Sequence, residues 1–153
     1  MDNRLLIKQR LHKECAGYVE SKLDVISKAV GELQDAANQE TRSSMGDKYE
    51  TGRAAIQLEM EKYSHQLNEF TELKKILFQI NAGKIYDSVQ PGCILDTNHG
   101  SFFIAINAGE IEIEGKRYLS ISLASPLGKE FYKRKAGEKF TFRDKNFEIE
   151  GVA

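Results

Sequence analysis

The stretch VESKLDVISKAVGELQDAA, residues 19–37, places apolar side chains at Val19, Leu23, Ile26, Val30, Leu33 and Ala37. Steps of four and three residues put all six on one side of an α-helix, in the a and d pattern of a heptad seam. A second run repeats the pattern at Ile56, Met60, Tyr63, Leu67, Phe70 and Leu77, with Lys74 interrupting it. Each seam is narrow, so neither helix is buried all round. The stretch between them, Asn38 to Asp47, is polar and contains Gly46, where the chain can reverse. Two long helices packed antiparallel, each covering the other's seam, satisfy this pattern within one chain. The expected result is a thin rod with a polar tip and no thick core. The same spacing also suits a dimerisation coiled coil or a spacer.

Working outward, composition changes near residue 82. Residues 1–81 have no proline and four glycines, whereas residues 82–153 hold both prolines and eight glycines and are rich in Phe, Ile and Tyr. The second half reads as short strands joined by turns. Gly92–Asp96 and Ser101–Ile106 flank Asn98-His99-Gly100. Ile111–Glu114 and Arg117–Ile121 flank Gly115-Lys116. Lys139–Phe142 and Phe147–Glu150 flank residues 143–146. Alternation of apolar and polar residues predicts a sheet with one wet face. Ser125 is suited to cap a helix and Pro126 to open it, predicting a short helix over Leu127 to Lys133 that covers the apolar face. The fold class is α+β, with a helical hairpin over residues 1–81, its acidic tip at about 38–50, and a β-rich domain over 82–153.

The bulk numbers exclude several classes. The 153 residues carry 29% charged and 41% hydrophobic side chains, a composition that folds. A net charge of −1 argues against a general nucleic-acid binder, while leaving room for local patches of either sign. No apolar run approaches the ~18 residues of a membrane span, and the start of the chain has no secretory pattern, so the expectation is a cytoplasmic protein without membrane contact. Cys15 and Cys93 lie far apart in unlike segments and are expected as reduced thiols. They and the three scattered histidines give no metal-ligand spacing. Phe102, Phe103, Phe140, Phe142 and Phe147 fit a sheet core better than an isomerase pocket.

Chemistry concentrates at the reversal. Gly46-Asp47-Lys48-Tyr49-Glu50 sets two carboxylates three residues apart, on one face of a helix that begins near Gly46. Carboxylates at a helix start complement its dipole and help cap it. At the end of a thin arm they can also be delivered into a channel closed to a globular domain. Arg42, Lys48 and Arg53 beside them are candidates for RNA phosphate contacts, or a solvated charged face.

The chain resembles the Gre family of bacterial transcript-cleavage factors. Residues 46–51, Gly-Asp-Lys-Tyr-Glu-Thr, match that family's Gly-Asp-x-x-Glu-Asn motif except that Thr51 stands where Asn is usual, and Arg53 replaces an acidic residue. Residues 121–129, Ile-Ser-Leu-Ala-Ser-Pro-Leu-Gly-Lys, with Lys135-Ala136-Gly137-Glu138, resemble its second signature. The resemblance implies an FKBP-like C-terminal domain that docks on RNA polymerase beside its secondary channel, with Ser125, Pro126 and Leu127 as docking candidates. It implies that Asp47 and Glu50 enter the channel, help hold the polymerase's second Mg²⁺ and meet the 3′ end of the nascent RNA. The protein is then an accessory factor and not a free-standing enzyme, is expected to be a monomer, and holds no cofactor of its own. A channel regulator that inhibits without cleavage, an FKBP-like isomerase or chaperone, and a coiled-coil adaptor remain the alternatives.

Overall fold

The structure, a computed structural model, describes residues 3–42 and 46–153, with side chains for 3–39 and 52–153. The fold is α+β, as expected. Two long helices, α1 (Asn3–Arg42) and α2 (Gly46–Gln79), precede β1 (Ile94–Thr97), β2 (Gly100–Ile104), β3 (Gly109–Ile113), β4 (Lys116–Ile121), the short α3 (Pro126–Phe131), β5 (Lys139–Phe142) and β6 (Lys145–Val152). The chain forms two compact units: Val19–Lys74, and Met1–Tyr18 together with Lys75–Ala153.

In the helical unit the first seam lies where its spacing puts it. Val19 and Ile26 are buried, and Leu23, Val30, Leu33 and Ala37 are half-buried. The second seam holds at Ile56, Met60, Tyr63, Phe70 and Leu77 and departs from its expected course at Leu67. Leu67 is exposed, while Gln66, Phe70 and Leu73 are half-buried. Two successive steps of three, through Tyr63 and Gln66, shift the buried stripe so that Leu73 carries it and Lys74 falls outside. Lys74 therefore does not interrupt the seam; its Nζ lies 2.8 Å from a carboxylate oxygen of Glu20. That pair joins the start of one helix segment to the end of the other, as antiparallel packing requires. Both side chains are more than half exposed, so the pair contributes about 0–1 kcal/mol.

The second unit is built on a six-stranded mixed sheet of order β3-β4-β2-β1-β6-β5. Every pairing is antiparallel except β2 with β4, whose register runs Ser101↔Tyr118 to Ile104↔Ile121. The expected hairpins are present. The last is tighter than expected: Phe142 pairs with Lys145, leaving Arg143 and Asp144 as a two-residue turn with φ of 48° and 65°. Positive φ at both central positions matches the right-handed twist of the flanking strands.

The expectation of one wet sheet face fails at the centre. In β2, Phe102, Phe103 and Ile104 are buried in succession, and so are Ile94 and Leu95 of β1. Consecutive burial requires cover on both faces. On one face, Leu95, Phe102, Ile104, Ile121, Phe147 and Ile149 form a core with Phe131 of α3. On the other, Ser120 of β4 bonds to the first turns of α1: Cys15 Sγ lies 3.4 Å from Ser120 Oγ, which donates to the carbonyl of Ile106 at 2.6 Å. Leu11 and Cys15 are fully buried there. His12 Nε2 lies 2.7 Å from the carbonyl of Leu77, tying α1 to the last turns of α2 within the same unit. Lys8 is buried as completely as its apolar neighbours. Its ammonium donates to the carbonyl of Lys84 and lies 4.8 Å from the centre of the Tyr86 ring, and burial lowers its pKa.

Cys15 and Cys93 are free, buried thiols. Burial raises both pKa values, that of Cys93 to about 11. Because the thiolate is the reactive species, neither should react with a soluble disulfide reagent at roughly pH 8 while the protein is folded. Both should react at once in denaturant. Rapid labelling of Cys15 in the native protein would mean that the α1–sheet contact opens readily.

Candidate functional site

The second family-like segment folds into a compact cap. Ser125 takes an extended conformation, φ −69° and ψ 156°, and its Oγ accepts from the amide of Gly128 at 3.1 Å. The same hydroxyl donates to the carbonyl of Ser122 at 2.6 Å. One side chain thus satisfies a free amide at the start of α3 and fixes the preceding loop, which is what a capping serine does for a helix. Ser122 Oγ in turn accepts from the amide of Ala124 at 3.0 Å, and Asn107 Oδ1 accepts from the amide of Ser122 at 3.0 Å. Pro126 follows in the first turn, where its missing amide costs nothing.

Within this cap the docking candidates differ in availability. Pro126 is exposed, Ser125 is half-buried with its hydroxyl engaged on both sides, and Leu127 packs against the core. Gly128 was not singled out by its sequence, yet it is the tightest point. A Cβ built there would stand 2.1 Å from the carbonyl oxygen of Ser122 and 2.8 Å from Leu123 Cα. No local pattern signals that requirement, because the crowding comes from the loop before the helix.

The acidic motif lies at the reversal. The backbone of α1 ends at Arg42 and that of α2 begins at Gly46, so Asp47, Lys48 and Glu50 belong to the first turns of α2. The side chains of Arg42, Asp47, Lys48 and Glu50 lie outside the described residues. Arg53 is described, and is exposed on α2. Among the described residues no group of three or more His, Cys, Asp and Glu is placed to hold a metal ion, and no helix is long and apolar enough to cross a membrane.

The sheet offers an open cavity of about 440 Å³ beside the β5–β6 hairpin, lined by Asn98, Lys139, Thr141, Asn146 and Glu148 among others. Its polar groups bond to one another. Asn98 Nδ2 donates to the carbonyl of Asn146 at 2.9 Å, and its Oδ1 accepts from the amide of Glu148 at 2.8 Å. Thr141 Oγ1 donates to Asn146 Oδ1 at 3.0 Å. These bonds tie Asn98, Thr141 and Asn146 together, while Lys139 and Glu148 are exposed beside them. Phe140 and Phe147 also line this cavity, their rings stacked 5.2 Å apart. Phe131 lies 5.1, 5.4 and 5.8 Å from Phe102, Phe140 and Phe147. That packing is a core, as expected from the sequence.

No family model matches the chain, and no curated protein matches it. It is similar to the solved structure of the transcription factor Gfh1 over 90% of this chain and 93% of that chain, at 17% identity and a TM-score of 0.34. A likeness of that strength defines neither family nor function.

Proposed function

We propose that this chain is a transcription factor of the Gre type, which binds RNA polymerase at its secondary channel and stimulates cleavage of backtracked RNA. The observation that carries the reading is the coincidence of motif and architecture. Gly46-Asp47-x-x-Glu50 opens α2 where two helices of 40 and 34 residues reverse direction. A capping role alone would explain carboxylates at the start of any helix. It does not explain why they fall at the one connection between the two longest elements, in a chain that also carries the Ser125–Pro126 segment.

Within that reading Asp47 and Glu50 supply carboxylate oxygens to the polymerase's active centre. Mg²⁺ retains several waters and is commonly held by one or two carboxylates plus phosphate oxygens, and at a phosphodiester it activates water and stabilises the leaving oxygen. Hydrolysis belongs to the polymerase; this chain completes the site in trans and binds no metal by itself. Arg42, Lys48 and Arg53 are placed by sequence to meet phosphates of the RNA 3′ end. Pro126 and the exposed part of the α3 cap are the docking candidates. The seams in the helical unit are matched within one chain, so the protein is a monomer.

One sequence feature favours a second reading. Arg53 and Thr51 stand where the family has acidic and amide residues, which favours a channel regulator that slows the polymerase without cleavage. A stalled, backtracked elongation complex separates the two. Release of short 3′ RNA fragments should be accelerated by the wild-type chain and reduced about 10²-fold or more by Asp47→Ala with Glu50→Ala, as for loss of groups that act in the transition state. Slowed synthesis without fragments would establish the regulator. No effect on either readout would reject both.

A further inference from the structure

Residues 129–145 hold seven Lys or Arg against three acidic residues, a net of +4 in a chain whose total is −1. The charge is interleaved with aromatic rings in a defined arrangement. The Arg143 guanidinium lies over the ring of Phe142 at 5.0 Å, that of Arg134 over Phe140 at 4.4 Å, and Lys133 Nζ over Tyr132 at 5.3 Å. Phe140 and Phe142 are two residues apart in β5, so the two guanidiniums over them share one side of the hairpin. Arg134 also meets Glu130 and Glu138, at 3.6 and 3.7 Å, and donates Nε to the carbonyl of Glu130 at 2.6 Å. It is a fixed platform more than a free charge. Lys133 and Arg143 are exposed and form no ion pair.

The backbone points the same way. Lys133, just past the end of α3, has φ 67°, and Arg143, first in the two-residue turn, has φ 48°. Glycine or asparagine occupies such positions with least strain. This chain instead places a cation at each, and both cations cover aromatic rings.

We propose that this face of the β5–β6 hairpin and the end of α3 binds single-stranded nucleic acid. Lys133 and Arg143 meet phosphates, while the outer faces of the stacked guanidiniums and the half-exposed Tyr132 ring receive bases. Base stacking on aromatic rings and guanidinium planes beside a positive track is the chemistry by which single strands are held without sequence preference. An acidic protein segment would use the charges but has no use for the planes. The site is separate from the acidic motif of α2 and does not depend on the polymerase reading.

Fluorescence anisotropy of the full chain with a labelled oligo(U) or oligo(dT) of about twenty nucleotides tests this. Each phosphate contact contributes about −0.7 to the slope of log affinity against log salt. Lys133→Glu with Arg143→Glu should weaken binding at least tenfold and flatten that slope by about 1.4. Arg143→Lys should keep the slope and lose affinity, because charge remains and the stacking plane does not. Lys28→Glu with Lys62→Glu, on exposed positions of the helical unit, matches the change in net charge and should leave binding intact. The proposal is overturned by an absence of binding at low salt, by equal loss in the helical control, or by an oligoglutamate that binds as tightly as the oligonucleotide.

Discussion

Phe131→Ala is expected to lower the stability of the sheet-containing unit by about 3–5 kcal/mol, the range for truncating a fully buried phenylalanine. Phe131 ends α3 with no exposed surface, and its ring lies within 6 Å of three other phenylalanine rings contributed by β2, β5 and β6. Those neighbours belong to three strands tied into the hydrogen-bonded sheet, so they cannot close around the gap. A cavity term then adds to the lost transfer energy. Tilted and edge-on ring geometry contributes a further ~0.5–1.5 kcal/mol per pair that an aliphatic replacement does not restore. Phe131→Leu should recover much of the loss but not all. Urea denaturation followed by tyrosine fluorescence reads the effect as a lowered midpoint with an unchanged slope. A loss below about 1 kcal/mol for the alanine variant would mean that α3 is not docked on the sheet as described.

Gly128→Ala is expected to cost about 3 kcal/mol, at the upper end for overpacking, and its sign is the instructive part. Gly128 lies inside α3. Helix propensity alone predicts that alanine there stabilises by about 1 kcal/mol. The tertiary contact reverses this, because the new methyl would stand 2.1 Å from the Ser122 carbonyl oxygen and 2.8 Å from Leu123 Cα. Both obstacles are backbone, and the Ser122 carbonyl is itself held by Ser125 Oγ at 2.6 Å. Relief would require moving the loop and breaking the cap. Gly137→Ala is a useful comparison. It meets nothing within 4 Å but has φ of +92°, so its cost is conformational strain alone. If Gly128→Ala proved neutral or stabilising in the same denaturation experiment, the close approach of the 122–123 loop to α3 would be wrong.

The parts of the molecule legible in the sequence are those decided by residues within a turn or two of one another. The α1 seam from Val19 to Ala37 follows from spacing, because the period of a helix fixes which side chains share a side. The Ser125 cap and Pro126 start follow from what a serine hydroxyl and a ring-locked φ do at a helix end. The α2 seam was legible at Ile56, Met60, Tyr63, Phe70 and Leu77, but not at Gln66 and Leu73. Leu67 and Gln66 are adjacent, and the choice between them depends on how two helices wind about each other, so spacing favoured the apolar residue and packing took the polar one. The acidic motif could be read as a string. Its setting at the reversal of the helices is a backbone fact that the spacing also implied.

What the sequence determined by itself is therefore the class of each element, the α+β order, the positions of the hairpin turns and the segments worth suspecting. Only the tertiary structure decided that both faces of the central strands are covered, that β2 and β4 run parallel, that Gly128 has no room for a methyl, and that Lys8 is buried. Lys8 reaches Lys84 across 76 residues, and Cys15 meets Ser120 across 105. Contacts at such separations depend on how whole elements dock. A lysine carries no local mark of the carbonyl that will accept its hydrogen bond, and a glycine no mark of the loop that will press against it. The interleaved cations and rings of residues 132–143 stand between these cases. Their composition is visible in the chain, but that two guanidiniums lie over rings on one side of β5 follows from the strand's alternation and the turn that the fold imposes.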